Sequence, residues 1–301
     1  MTDPARSPAH SDRSTDRSQP LLHVEDAILL TPARVEIALW DVKGTSLVCL
    51  GETASLVQAC VAPELLESGR LELLGREPRE ALRYGDVGHC PSRLPGGEAF
   101  RVRDALGWSR RLISPERGGS TKSDVDEALD RVHAGQLGKK KLTELSRFQA
   151  RLVGLAHGLL GRPQLLLLED PFAELDDGES ELVEAILDEA LENRSFIAGL
   201  RSESPWTRRL ASRAQQAVFV SGGRGMEPTA PSRVPGAGLW ITTEGDVTAL
   251  ATALGERGHR VTLSPHPSVA LVQGAAGLDV FDLAERTGTA LVGVAPAGWG
   301  G

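Results

Sequence analysis

A helical pattern of apolar residues leads directly into an all-apolar run in the middle of the chain. Gly161 and Pro163 end the helical pattern, and the run at 165–168 follows without polar alternation. Such a run is typical of a strand that is buried on both faces of a parallel sheet. Helical spacing of apolar residues predicts the preceding helix; these residues are Leu152, Leu155, Ala156, Leu159 and Leu160.

Two acids, Glu169 and Asp170, follow this predicted strand at its carboxyl end. Open α/β sheets bind ligands at that edge, so the acids indicate either a metal–phosphate site or a solvated strand end. The pattern alone leaves both interpretations open. If the acids lie at an exposed strand end and bind nothing, neutralising Glu169 should leave the free energy of unfolding almost unchanged.

The ends of the chain have a different composition from its middle. Residues 1–20 are polar and are predicted to form a disordered tail, followed by a main domain over 21–225. A Pro- and Gly-rich linker over 226–238 then leads to a small α+β domain over 239–301. The order β-α-β-β-α-β predicts a ferredoxin-like fold for this accessory domain, without a ligand of its own; its strands are 239–243, 260–264, 268–273 and 290–295, and its helices 247–257 and 280–287.

Charge and composition exclude several functional classes. The chain has 301 residues, 41% of them hydrophobic, and a formal net charge of −8, which argues against a nucleic-acid-binding surface. The basic run at 139–141 is interpreted as a solvated segment rather than an anion site. No apolar stretch is long enough to span a bilayer, and the chain does not begin with the apolar core of a signal peptide.

Cysteine and histidine spacing predicts neither a disulfide framework nor a metal site. Cys49, Cys60 and Cys90 are odd in number and lack CxxC spacing, so they are interpreted as buried thiols in a reducing cytosol. No histidine pairs with another histidine or a cysteine at ligand spacing. His157 is therefore interpreted as a packing or capping residue.

The segment 145–176 resembles the ATP-binding-cassette (ABC) ATPases. Leu145-Ser146-Arg147-Phe148-Gln149 stands where that family has its LSGGQ signature. The strand 165–168 and Glu169-Asp170-Pro171 stand where the family has its Walker B strand and Asp-Glu-Pro. The loop Ala173-Glu174-Leu175-Asp176 matches the form SALD. The spacing agrees without a gap, and the resemblance covers roughly residues 22 to 225.

The resemblance implies an α/β fold, an ABC-ATPase (P-loop NTPase-like) cassette, with the small ferredoxin-like α+β domain after it. It implies that Glu169 and Asp170 occupy the catalytic positions of an inverted Walker B motif. Remnants of nucleotide-binding positions would be Gly51, Ser146, Gln149 and Asp176.

The phosphate-binding loop of the family is absent from this sequence. Such a loop needs glycines, a lysine for the terminal phosphates and a Ser/Thr for Mg²⁺. After Gly51 the chain continues Glu52-Thr53-Ala54-Ser55, without Gly-Lys-Ser/Thr. The segment is also about four residues shorter than in a typical member. Glu52 would place a negative charge where phosphates should bind.

Other nucleotide-handling positions also depart from the family pattern. No aromatic residue for adenine stacking lies between Leu21 and Leu39. The Q-loop glutamine is absent near Ser92, and the switch histidine is absent near Ser202. Arg147 and Phe148 replace the signature glycines, whose lack of side chains permits close approach to a nucleotide. Asp170 is shorter than the expected general base, and a misplacement of about 1 Å can cost roughly a hundredfold in rate.

These departures predict a catalytically degenerate ABC cassette, a pseudo-ATPase, with ATP and Mg²⁺ binding weak or absent and no other cofactor. The expected partners are a membrane permease and a competent ABC ATPase subunit of a bacterial transporter, with the chain in the cytoplasm at the inner face of the membrane. The tail at 279–288 resembles ABC-2 type exporter subunits. Two alternatives remain: an active ATPase with unorthodox motifs, and a free-standing regulatory scaffold.

Overall fold

Two β-sheets organise the part of the chain that the computed structural model describes: residues 20–30, 35–51, 54–94, 100–113, 121–201, 204–221, 224–225, 228, 238–264, 266–273 and 277–296. The larger sheet contains β1 (Leu22–Leu29), β2 (Val35–Val42), β3 (Ser46–Gly51), β4 (Leu66–Leu73), β5 (Val87–Cys90), β6 (Leu165–Glu169), β7 (Ser195–Leu200), β8 (Gln216–Ser221) and β9 (Arg224–Gly225). The helices around it are α1 (Ala54–Val61), α2 (Pro78–Arg83), α3 (Val102–Leu112), α4 (Thr121–Arg131), α5 (Arg147–Leu159), α6 (Asp177–Leu191) and α7 (Pro205–Arg213).

The nine strands of this sheet run in the order β4-β1-β2-β9-β8-β3-β7-β6-β5. Strands β8, β3, β7, β6 and β5 pair in parallel, whereas β1 is antiparallel to both β2 and β4. The carboxyl ends of the parallel strands therefore meet at one edge, where Gly51 and Glu169 each end a strand.

Strand β6 is buried on both faces, as its apolar run predicts. Leu165 and Leu167 belong to the hydrophobic cluster that contains the antiparallel strands and α1. Leu166 and Leu168 belong to the second cluster, which contains α3 to α6. Because alternate residues of a strand point to opposite faces, one short strand joins the two cores.

Helix α5 packs against β5 through residues that have no side chain. A Cβ atom on Gly158 would lie 2.0 Å from the sulfur of Cys90, and one on Gly154 would lie 2.3 Å from the carbonyl oxygen of Pro91. On the strand side, a Cβ on Gly88 would lie 1.9 Å from the carbonyl oxygen of Gly158. These contacts leave room only for glycine, and they hold the helix directly over the strand next to β6.

The C-terminal elements form the predicted ferredoxin-like unit. Its elements are β10 (Gly238–Thr243), α8 (Thr248–Glu256), β11 (Arg260–Leu263), β12 (Val269–Gln273), α9 (Gly277–Thr287) and β13 (Leu291–Pro296). The antiparallel order β11-β12-β10-β13 is that of a split βαβ arrangement, which confirms the topology.

One face of the small sheet packs on its own helices, and residues of the other face reach the cassette core. Ile241 and Val272 lie with α8 and α9 in a separate hydrophobic cluster. Val269 and Leu271, in contrast, belong to the cluster that contains α3 to α6. The independence of this unit and the domain boundaries stay predictions, since residues 1–19 and nearly all of 226–237 lie outside the described residues.

The prediction that the three cysteines are buried thiols is confirmed. Cys49, Cys60 and Cys90 are all free and buried. Burial raises the pKa of Cys60 to about 12, and burial together with the nearby charge of Glu169 does the same for Cys90. None of the described helices is both long enough and apolar enough to cross a bilayer.

Candidate functional site

The acid at the end of β6 is held by two neighbouring groups. Oε1 of Glu169 lies 3.2 Å from Nε2 of His89, and Oε2 accepts the backbone N–H of Ser92 at 3.3 Å. The side chains of Glu169 and His89 are only 16% and 18% exposed. One carboxylate oxygen is therefore hydrogen-bonded within the protein, and the other lies close to His89, whose Nε2 has no hydrogen bond among the described residues.

The pKa of Glu169 is lowered despite its burial. Burial is the largest single influence and acts to raise it, but the contact with His89, the N–H of Ser92 and the charge of Arg201 together outweigh burial. The carboxylate is therefore ionised at neutral pH. The interpretation of Glu169 as part of a solvated strand end is wrong, because residues of β5 and of the segment after it cover this side chain.

Asp170 is buried in an unusual backbone conformation. Its φ angle is +40°, a region that side chains rarely adopt, and its own N–H donates to the carbonyl oxygen of Gly199 at 2.8 Å. Burial raises the pKa of Asp170, against the opposing effects of the backbone N–H of Arg201 and the charge of Arg151. Its Oδ1 atom is buried without a hydrogen-bond partner among the described residues.

Arg151 of α5 ties the signature helix to the segment after β6. Its guanidinium donates to the carbonyl oxygen of Glu169 at 3.0 Å and to that of Ala173 at 3.3 Å. Arg151 is itself buried, and this burial lowers its pKa while the charges of Asp170 and Glu169 oppose the shift. The buried guanidinium of Arg151 therefore offsets part of the negative charge of Glu169 and Asp170.

His157 completes the contact between α5 and β5. Its Nδ1 lies 2.7 Å from the carbonyl oxygen of His89, so this nitrogen carries the hydrogen. Burial lowers the pKa of His157 to about 4, which keeps the ring neutral. The prediction that His157 is a packing residue is consistent with this geometry.

Two of the three signature residues that match the family cap a helix. Ser146 Oγ accepts the N–H of Gln149 at 3.2 Å, and Gln149 Oε1 accepts the N–H of Ser146 at 3.3 Å. This reciprocal pair is a capping box at the start of α5. Lys140 also donates to Gln149 Oε1 at 3.2 Å, so this lysine is not simply solvated, whereas Lys139 and Lys141 are exposed as predicted.

The two substituted signature residues differ in their placement. Arg147 is exposed and lies with Nε 3.2 Å from Oε2 of Glu174, which is also exposed. Phe148 is half-buried and packs against the larger hydrophobic cluster. The two side chains occupy the first turn of α5, where the resemblance places glycines.

Asp176 has the same structural role one element later. Its Oδ1 accepts the N–H of Glu179 at 2.8 Å, and Glu179 Oε2 accepts the N–H of Asp176 at 3.4 Å, a capping box for α6. Gly51 ends β3, and α1 begins three positions later at Ala54. Glu52, Thr53, Ser202, Gly222 and Gly223 lie outside the described residues.

The described residues do not fit a Mg²⁺–nucleotide complex. The carboxylate that the resemblance places in the position of the metal acid lies against His89 and accepts the N–H of Ser92, and the second acid is held in a desolvated site. A positive charge that acts on Asp170 comes from the guanidinium of Arg151. No cluster of three or more potential metal ligands occurs among the described residues.

His89 and Arg151 are functional candidates that sequence reasoning did not find. His89 lies on the four-residue strand β5 and is separated from Glu169 by 80 positions, so no local pattern links them. Arg151 lies in a predicted helix that is read from its apolar residues, so the helical pattern does not single it out. A charged residue on the buried face of a predicted helix, two positions after the signature, is the signal that could have drawn attention to it.

The larger unit has the fold of an ABC ATPase cassette. One chain of similar structure comes from a transporter assigned to the metal-chelate type, in an inward-facing conformation; it has a TM-score of 0.57 and 16% identity, and covers 84% of this chain and 96% of that chain. CbiO1 from Clostridium perfringens, part of the ABC transporter complex CbiONQ, has a TM-score of 0.55 and 18% identity over 72% of this chain and 91% of its own. The predicted fold class is thereby confirmed.

Sequence relatives are ATP-binding proteins of ABC transport systems. The spermidine/putrescine import ATP-binding protein PotA of Nitrosospira multiformis is 46% identical over 131 residues, which is 40% of this chain and 34% of PotA. The sulfate/thiosulfate import ATP-binding protein CysA of Synechococcus elongatus is 31% identical over 140 residues, 44% of this chain and 40% of CysA. The chain thus matches less than half the length of these curated relatives, and no protein-family model matches it.

Proposed function

We propose that this protein is a non-hydrolysing ABC cassette subunit of a bacterial transporter, in the cytoplasm at the inner face of the membrane. It contributes structure to a complex with a permease and a competent ABC ATPase, and binds ATP and Mg²⁺ weakly or not at all. The fold and the relatives support the ABC subunit class. The absence of catalysis rests on the sequence departures and on the site geometry.

The contact between Glu169 and His89 carries the proposal. Phosphoryl transfer is catalysed mainly by positioning and electrostatic stabilisation of the phosphates and metal. A carboxylate that is 16% exposed, with His89 beside one oxygen and the N–H of Ser92 on the other, cannot take up Mg²⁺ without displacing these neighbours. The sequence offers no Gly-Lys-Ser/Thr after Gly51 that could offset this cost through phosphate contacts.

The signature helix adds a second argument. In an ABC dimer the signature of one subunit faces the nucleotide of the other, as the resemblance implies. Here the exposed Arg147 and the half-buried Phe148 occupy the first turn of α5. Ser146 and Gln149 are engaged in capping their own helix. The chain would therefore give its partner a structural contact rather than a catalytic one.

The resemblance to ABC-2 type exporters rests on the tail at 279–288. In the structure this tail forms most of α9, and Val280, Leu283 and Ala284 pack in the core of the small domain. That pattern is sufficiently explained by packing. The named relatives are import proteins, so the assignment to the ABC-2 type stays a prediction from sequence.

Two experiments test this function. A titration of the purified chain with Mg-ATP should show no saturable binding at concentrations where a competent cassette is saturated; tight, Mg²⁺-dependent binding would favour the active-ATPase alternative. Purification from the native cell in mild detergent should recover a membrane permease and a second cassette. Recovery of the chain without either would overturn the transporter assignment in favour of a free-standing scaffold.

A further inference from the structure

A cavity in the helical part of the cassette is lined by more cationic than anionic side chains. Its volume is about 230 Å³, and it lies between α3, α4 and the turn after α5. We call it the arginine cavity; it is lined by Arg110, Asp124, Glu127, Ala128, Arg131, Leu159, Gly161 and Arg162. Three guanidinium groups thus face two carboxylates.

The two carboxylates do not neutralise the three cations. Glu127 alone receives both Arg131, at 2.8 Å, and Arg162, at 2.8 and 3.1 Å. Contact with Arg162 is the main cause of the lowered pKa of Glu127, so this acid is ionised. The remaining pair is Arg110 with Asp124, at 2.5 Å. One positive charge is left over in the lining.

The surroundings add to this surplus. Arg194 follows α6, and its pKa is lowered by burial and, in addition, by the charge of Arg131. This like-charge effect places a further cation, Arg194, near Arg131.

The arginines also keep donors available. A guanidinium has five N–H groups, and the side-chain bonds described for Arg131 and Arg162 all use Nη2. Arg110 is rigid: its side chain is 9% exposed and it also donates to the carbonyl oxygen of Ile113 at 2.8 Å. Arg162, at 71% exposure, has room to reorient toward a bound group. One fixed and two adjustable forks suit an oxyanion with several oxygens.

We propose that the arginine cavity binds a small phosphate-bearing anion, held by Arg110, Arg131 and Arg162 in competition with Glu127. The cavity is smaller than typical ligand pockets, which start at about 300 Å³, so the bound group is of the size of inorganic phosphate or pyrophosphate rather than a whole nucleotide. This proposal is independent of whether the chain hydrolyses ATP.

The test measures the thermal stability of the full chain with pyrophosphate, against sodium chloride at matched ionic strength. A ligand that binds only the folded state raises Tm with concentration. We expect pyrophosphate to raise Tm by several degrees more than chloride does. The apparent affinity should fall about tenfold or more in Arg131→Gln and in Arg162→Gln, since each removes one charged fork. The affinity should rise in Glu127→Gln, since this change removes the competing carboxylate.

Arg257→Gln is the matched control. It removes the same charge, but from an arginine that pairs with Asp282 in the small domain, at 3.3 Å. It should respond to pyrophosphate like the unmodified chain. Equal shifts in all variants, or no shift beyond that of chloride, would overturn the proposal. If Arg131→Gln does not fold, two variants still test the proposal. Arg162→Gln changes an exposed residue, and Glu127→Gln is expected to have the opposite effect on the affinity. Sedimentation of the chain with phosphatidic acid vesicles, if it depends on Arg162, would identify a lipid headgroup as the source of the phosphate. If the chain does not sediment with these vesicles, the phosphate comes from a free anion.

Discussion

Nε2 of His89 and Oε1 of Glu169 lie 3.2 Å apart at the edge where an ABC cassette would hold its metal. Replacing Glu169 with Gln removes the negative charge that lies beside His89 and weakens the bond from the N–H of Ser92. We expect the free energy of unfolding to fall by about 1–3 kcal/mol, the usual range for a hydrogen-bonded charged group that is largely buried. Urea unfolding at pH 7 measures it.

Glu174→Gln is the control for this change, because Glu174 pairs with Arg147 at the same distance of 3.2 Å but both side chains are about 70% exposed. Such a pair contributes little, about 0–1 kcal/mol. Equal effects of the two substitutions would show that Glu169 is not structurally paired. Because the folded-state pKa of Glu169 is lowered, the stabilisation should be present above pH about 4.3 and be lost as the pH falls through the folded pKa.

A second prediction concerns His157, the neutral histidine of α5 that contacts β5. The pKa of His157 is about 4 in the folded chain and about 6.5 in the unfolded chain, so the unfolded state binds the extra proton between these values. Stability should therefore decrease as pH falls from about 6.5 towards 4, by on the order of 1.4 kcal/mol per pH unit. His157→Gln should remove most of this slope. His133→Asn, at an exposed position, should retain it.

The third prediction concerns the glycine contacts between α5 and β5. Gly158→Ala places a Cβ atom 2.0 Å from the sulfur of Cys90 and 3.3 Å from backbone atoms, so the helix or strand must shift. We expect a loss of about 1–3 kcal/mol in the free energy of unfolding. Gly178→Ala is the control: its Cβ would lie 3.6 Å from Asp176 Oδ1, an ordinary contact. A neutral Gly158→Ala would mean that α5 is not seated this closely.

A fourth prediction separates capping from nucleotide binding. Ser146→Ala and Asp176→Ala each remove a side-chain cap, at the starts of α5 and α6. Each should cost about 1 kcal/mol of stability. Ser146→Asp, which can still accept the bond from the N–H of Gln149, should recover most of the loss. If the alanine variants keep full stability but alter nucleotide binding, the interpretation of these residues as helix caps is wrong.

The sequence predicts those parts of the fold whose signals are local. The apolar run at 165–168 and the alternation of elements after 238 each lie within one segment, and both match the structure. The edge at which Glu169 lies also follows from local order, because a parallel strand ends there.

The chemistry of the site depends on contacts that no local pattern encodes. His89 and His157 meet across 68 positions, and His89 and Glu169 across 80. The β5 strand that presents His89 has only four residues, too few for a periodic signal. The positive φ of Asp170 is not encoded by a local pattern either; it accompanies the bond from the N–H of Asp170 to the carbonyl oxygen of Gly199 on the neighbouring strand β7. These contacts turn an apparently exposed acidic pair into a buried one.

The most direct test of the central claim is steady-state phosphate release from Mg-ATP by the purified chain, compared with Asp170→Asn. The account predicts equal release at background level from both proteins, because Glu169 is engaged with His89 and Asp170 is desolvated. Release above background that disappears in Asp170→Asn would contradict it, since the inverted acids would then be catalytic.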